Sequence, residues 1–195
     1  MAFLTIWEII DMIIISLAVG YIFKDMFPRA MTHSYEDYFE EYKSERSFID
    51  WNDFKFAILI VGPAIILHEF GHKIIALMFG LYATFNAAYF WLLIGVALKA
   101  FGSPILFFVP AYVAHSATAF PWQSSLIAFA GPFVNLVLWL GSWLILKKAK
   151  KLSHTAITAL SFTKRINMFL FLFNMIPIPP FDGGQVLMGL IGTFF

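Results

Sequence analysis

The chain has 195 residues, 61% of them hydrophobic and only 13% charged, with 24 phenylalanines, 6 tryptophans and a mean hydropathy of +0.80. Soluble domains average about 45–50% apolar and about 25% charged residues, so this composition excludes an ordinary soluble globule and describes an integral membrane protein of one compact bundle. A net charge of +1 offers nucleic acid nothing to hold, and the absence of cysteine excludes disulfides, thiolate metal ligands and a cysteine nucleophile.

The first apolar run, 3–23, is long enough to cross a hydrocarbon core of about 30 Å as a helix. It exceeds a signal-peptide core, lacks a basic start and a small-residue cleavage site, and carries Glu8 and Asp11. It reads as a retained transmembrane helix. Residues 24–53 are the one clearly polar stretch, with eight acids and four bases. They read as a solvated loop on the interface, with 35–44 a candidate surface helix. The run 54–79 reads as a second span. Gly62-Pro63 within it is either a bend that opens space or a packing kink.

Residues 82–119 are interrupted. The stretch 87–101 reads as helix, Gly102-Ser103-Pro104 ends it, and 105–113, β-branched and aromatic, reads as a strand or hairpin. A small membrane-associated β-hairpin or re-entrant element is therefore expected around 82–119. A third span, 124–146, runs into a basic turn with Lys147, Lys148, Lys150 and Lys151. A fourth begins at Thr155 or Phe162, carries Lys164 and Arg165 near its start, and reaches Met175. The prolines of Pro177-Ile178-Pro179-Pro180 stop it. The last apolar piece, 185–195, is too short to cross alone. The expected fold is an all-α polytopic membrane bundle forming a single domain over 1–195, with core segments at 54–79, 124–146 and 155–190.

Within the second span stands His68-Glu69-Phe70-Gly71-His72. HExxH on a helix sets two imidazoles one turn apart on one face, spaced for one zinc ion, with the glutamate between them as base. Ionisable residues at membrane depth are costly and mark functional sites. A catalytic zinc takes three protein ligands and a water. Beyond Glu69 the sequence holds one further acid, Asp182. The competing histidines are His33 in the polar loop, His115 in the interrupted region and His154 beside the basic turn. His115 and His154 read as packing or interfacial residues. Asp182, in a break framed by Pro and Gly, reads as the third ligand or as the turn-forming aspartate of Asp-Gly.

Helix lengths favour ligation. They give about 20 Å from Lys55 to His68, about 14 Å from Arg165 to Asn174, and about 24 Å from Gly131 to Lys147. With the second and fourth spans parallel and the third antiparallel, HEFGH, Ala130-Gly131-Pro132, Asn174 and Asp182 fall at one depth.

Three stretches carry a resemblance: His68-Glu69-Phe70-Gly71-His72, Ala130-Gly131-Pro132-Phe133-Val134-Asn135, and Phe173-Asn174-Met175-Ile176-Pro177-Ile178-Pro179-Pro180-Phe181-Asp182-Gly183-Gly184. Together they resemble the site-2 protease family of intramembrane zinc metalloproteases, over about 54–79 and 124–190 and in the family's order. HExxH alone is shared by many zinc enzymes, whereas the third motif is far more specific. The resemblance implies a three-helix catalytic core in a multi-pass protein of the cell membrane. It implies one Zn2+ ion on His68, His72 and Asp182, with Glu69 as catalytic base. Asn174 would be a polar residue beside the site that engages substrate or the oxyanion, and Asn135 matches the family pattern less firmly. Substrates would be transmembrane segments of other proteins within the lipid bilayer.

The chain leaves no room for the PDZ or CBS modules of many relatives. Rival readings are a metal or proton transporter using the same cluster and an inactive membrane scaffold. The intact HExxH weighs against the scaffold. Two expectations of orientation oppose each other: the family sets its site nearer the cytosol, whereas the positive-inside rule sets the basic 147–165 end there.

Overall fold

The computed structural model describes residues 3–26, 51–103, 110–116 and 118–194. Among these are six helices and two strands: α1 (Ile6–Phe23), prolonged by a 3-10 turn (Lys24–Met26), α2 (Trp51–Met78), β1 (Ala83–Ala87), α3 (Tyr89–Ala100), β2 (Ala111–His115), α4 (Pro121–Lys148), α5 (His154–Asn174) and α6 (Asp182–Phe194). α1 with its turn, α2, α4 and α5 are long and apolar enough to cross a membrane. The expected surface helix at 35–44, and His33, lie outside the described residues.

Local chemistry sets the helix ends. Thr5 and Glu8 form a capping box on α1: Glu8 N donates to Thr5 Oγ1 at 3.3 Å and Thr5 N donates to Glu8 Oε2 at 2.8 Å. Ser153 Oγ caps α5 by accepting from Ala156 N at 3.2 Å. Pro121 opens α4, where its missing N–H costs nothing. α2 stops before Gly80, which holds a φ of 73° that a side chain would resist. α2 passes through Gly62-Pro63 as one helix, with Pro63 on its exposed side.

The core of the bundle is α2, α4 and α5. α4 runs antiparallel to α2, since His72 meets Ile127 and Asn135 meets Ala64. α5 runs parallel to α2, with Phe56 against Phe162 at 6.1 Å and Asn135 reaching Asn167. Apolar burial between helices gains little over lipid, so association depends on close approach and polar contacts. One such close approach is at Gly71, where a Cβ would stand 2.6 Å from the carbonyl oxygen of Ala130. Leu59, Leu126, Phe133, Val137, Phe169 and Leu172 are left on the exposed exterior, as a lipid-facing surface requires.

β1 and β2 pair antiparallel, from Ala83 opposite His115 to Ala87 opposite Ala111. The hydrogen bonds Ser116 N to Tyr82 O (3.0 Å) and Ala88 N to Pro110 O (3.1 Å) close the two ends. The expected β element around 82–119 is thus present, but α3 joins its strands rather than a tight turn. Its second strand lies at 111–115, later than the expected 105–113, of which 105–109 fall outside the described residues. Its first strand falls in a stretch with little strand character of its own. Ala-Thr-Phe-Asn-Ala has one β-branched residue, and its extended state is imposed by neighbours. Phe85, Ala87 and Ala111 pack with Ile15 and Val19 of α1 and with Ala57, Ile60 and Ile65 of α2, so the sheet lies against those two helices.

Candidate metal centre

His68 and His72 sit one turn apart on α2, both buried, and both face α4 and the start of α6. His68 Nδ1 lies 2.6 Å from Asn135 Oδ1. The Asn135 amide is oriented by its other contacts, because Nδ2 donates to Ala64 O at 3.1 Å and to Asn167 Oδ1 at 2.9 Å. Its oxygen therefore faces His68 and accepts the Nδ1 proton. His72 Nδ1 donates to the Ile127 carbonyl at 2.7 Å. With a proton held at Nδ1, each imidazole turns its Nε2 inward, where the neutral ring offers a lone pair to a metal.

Those two Nε2 atoms are 3.1 Å apart, and Asp182 Oδ2 stands 3.2 Å from His68 Nε2 and 3.5 Å from His72 Nε2. The two Nε2 atoms and the Asp182 carboxylate converge on one point, where together they can hold a cation. Tetrahedral zinc with bonds of about 2.0–2.1 Å has ligands about 3.3–3.4 Å apart, which this triangle matches. Among the described residues, His68, His72 and Asp182 are a group able to hold a metal ion. The donor set, two imidazoles and a carboxylate, suits zinc.

Two glycine positions make the triangle possible. A Cβ on Gly131 would fall on Nε2 of His72 and within 2.7 Å of Nε2 of His68, so only glycine leaves the space in front of the nitrogens empty. At the start of α6, a Cβ on Gly184 would stand 2.5 Å from the Ile178 carbonyl carbon. The proline-rich turn before α6 therefore folds back onto this helix and fixes where Asp182 begins it. Asp182 both starts a helix after a turn and reaches the histidines, so the two sequence readings of this residue are compatible.

Glu69, also buried, lines the same cleft, whose volume is about 260 Å³. Asn174, the last residue of α5, lines it too, as do β2 and Gln185. His115, read from sequence as a packing or interfacial residue, also borders the cleft, with Nδ1 at 3.1 Å from the Ser116 carbonyl. His154 starts α5, at the end of that helix remote from Asn174.

Sequence reasoning missed two partners. Asn135 was seen only as a weak motif match, and Asn167 was not singled out. Both are 0% exposed, and Asn167 Nδ2 donates on to Thr163 O at 2.8 Å. The signal was available: an asparagine inside an apolar span needs a partner there.

Comparison with known proteins identifies the family. Residues 139–195 match the description of Peptidase family M50. The chain is 34% identical, over 184 residues, to a Methanocaldococcus jannaschii protein named as a zinc metalloprotease, covering 92% of this chain and 83% of the relative. It is 31% identical over 133 residues to a Synechocystis protein named in the same way, covering 68% of this chain and 30% of that longer relative. No solved structure matches. With membrane-spanning helices around a histidine-carboxylate cluster and a relative that matches almost end to end, the chain belongs to peptidase family M50, the site-2 protease-like zinc metalloproteases of membranes.

Proposed function

We propose that the protein is an intramembrane endopeptidase that cuts within or near transmembrane segments of other membrane proteins. His68, His72 and Asp182 hold one Zn2+ ion, and Glu69 is the general base. The observation that carries this reading is the convergence of two Nε2 atoms and one carboxylate oxygen within 3.5 Å, in a cleft built on spanning helices.

A zinc ion bound there would polarise a water and lower its pKa to about 7. Glu69, beside both histidines, takes the proton of the attacking water and gives it to the leaving amine. Asn135 and the Ile127 carbonyl keep the imidazole protons at Nδ1, so the histidines serve as ligands rather than bases. Asn174 directs a carboxamide N–H at the carbonyl oxygen as charge develops, a role worth about 3–4 kcal/mol in comparable sites.

A substrate helix has its carbonyls occupied by its own hydrogen bonds and must unwind before attack. An unwound segment adds to β2, which borders the cleft, as a third strand.

The test is Glu69→Gln in liposomes containing a single-span helical substrate library. Zinc content should match the wild type while cleavage disappears. Persisting cleavage would overturn the assignment, and metal flux without proteolysis in the wild type would favour a transporter.

A further inference from the structure

Two carboxylates of α1 have no part in this chemistry. Glu8 and Asp11 are buried, 3% and 9% exposed, on a helix whose Ile6, Trp7, Ile13 and Leu17 are exposed. Each is committed to the backbone of β1. Phe85 N donates to Glu8 Oε1 at 2.8 Å and Ala87 N donates to Asp11 Oδ2 at 3.0 Å. The Tyr89 hydroxyl donates to the other Asp11 oxygen. Lys73, 1% exposed, forms an ion pair with Glu8 Oε1.

The strand register shows what these bonds do. Tyr82 and Ala88 hydrogen-bond to β2 at the two ends of the ladder. In an antiparallel pair the bonded residues alternate, so the even-numbered residues of β1 face β2 and the odd-numbered ones face away. Phe85 and Ala87 therefore belong to the outer edge of β1, and the α1 carboxylates seal it. The opposite margin of the sheet is β2, which borders the cleft. Lys73 follows His72 directly, so a short path joins a metal-site residue to the strand: His72, Lys73, Glu8, Phe85.

We propose that Glu8 and Asp11 are positioning residues that fix the height of the two-stranded sheet against α2, and so select which peptide bond of a β2-bound substrate meets the site. This rests on the reading that substrate adds to β2 as a strand. A strand advances about 3.3 Å per residue and its carbonyls alternate in direction, so a sheet shift of about 6.6 Å brings the next carbonyl of the same orientation to the site. Registers that keep the same side-chain faces recur every two residues. Loosening the anchor therefore spreads cleavage in steps of two.

The experiment uses full-length enzyme in liposomes with a library of single-span polyleucine helices carrying a central Gly-Pro break. Products are mapped by mass spectrometry, and backbone hydrogen exchange is followed at Ala87. The wild type should cut one dominant bond. Asp11→Leu should also cut two residues to either side, with a raised KM, unchanged zinc content and exchange at Ala87 at least ten times faster. Asp11→Asn retains an oxygen for Ala87 N and should restore both the single bond and the protection. Tyr89→Phe leaves the Ala87 contact in place and should cut as the wild type does.

At the second anchor, Glu8→Gln combined with Lys73→Met keeps an acceptor for Phe85 N without stranding a charge, and should preserve the single bond. A slower Asp11→Leu enzyme that still cuts only the wild-type bond would overturn the proposal while leaving the protease reading intact. So would unaltered exchange at Ala87. A wild type that leaves the whole library uncut, with Ala87 protection lost in Asp11→Leu, would overturn the protease reading and the substrate role with it.

Discussion

Replacing Asn135 with leucine tests the metal centre through the residue that supports it. Leucine has nearly the same volume and no polar atom, so three hydrogen bonds go: one accepted from His68 and two donated, to Ala64 O and Asn167 Oδ1. The Ala64 carbonyl keeps its helical donor, the His68 N–H. The His68 Nδ1 proton and the Asn167 oxygen lose their partners where both asparagines are 0% exposed. An orphaned buried group costs about 1–3 kcal/mol, so the two together cost about 2–6 kcal/mol. His68 can escape its share by moving the proton to Nε2, but that blocks the atom meant for the metal. The cost then moves from stability to affinity, where losing such a partner lowers metal binding about 10–100-fold. That range equals about 1.4–2.7 kcal/mol. Competition against a zinc chelator in detergent, with thermal unfolding of the zinc-free protein, reads both quantities. Asn135→Asp keeps an acceptor for His68 and should bind zinc within about threefold of the wild type. Wild-type zinc affinity and stability in Asn135→Leu would refute the argument.

Gly131→Ala puts a methyl group on the two ligand nitrogens and should lower zinc affinity at least about tenfold in the same titration, with the helix content by circular dichroism unchanged. Asp182→Asn removes the only carboxylate of the triangle, so zinc measured by elemental analysis should fall to background in an otherwise folded protein. Lys73→Met strands the Glu8 charge and should cost about 3–5 kcal/mol in reversible unfolding, most of it recovered by adding Glu8→Gln. Asn174→Ala should lower kcat about 10²–10³-fold in the liposome assay while zinc stays bound.

The spans were legible because apolar length alone defines them. The expected 54–79, 124–146 and 155–175 appear as Trp51–Met78, Pro121–Lys148 and His154–Asn174. Depth was legible too, since 1.5 Å per residue converts sequence separation into height. His68, Glu69, His72, Asn174 and Asp182 line one cleft, and Gly131 meets both histidines. What escaped was everything held by distant partners. β1 owes its strand state to β2, which begins 24 residues beyond its end, and to carboxylates more than 70 residues earlier. Glu8 and Asp11 could be seen as anomalies in a lipid-facing helix, but the amides they bind carry no mark in the sequence. Asn167 is the same case, because its partner Asn135 lies on another helix at a crossing that spacing alone does not reveal.

The two edges of the small sheet are treated in opposite ways, and the contrast bears on mechanism. Lipid cannot satisfy a strand edge, so irregular backbone at membrane depth persists only against protein or beside water. On β1 the outer amides of Phe85 and Ala87 are taken by Glu8 and Asp11. On β2 the outward peptide groups of Ala111 and Val113 have no backbone partner among the described residues, and both residues border the cleft. That edge needs water when the cleft is empty. Hydrolysis needs water at the same place, and an unwound substrate needs a row of free amides and carbonyls beside Glu69. One open edge meets all three needs, provided the other is closed. Sealing β1 with acceptor-only carboxylates, rather than with a further strand, leaves the sheet able to take one strand on the side of β2, which borders the cleft that His68, His72 and Asp182 line.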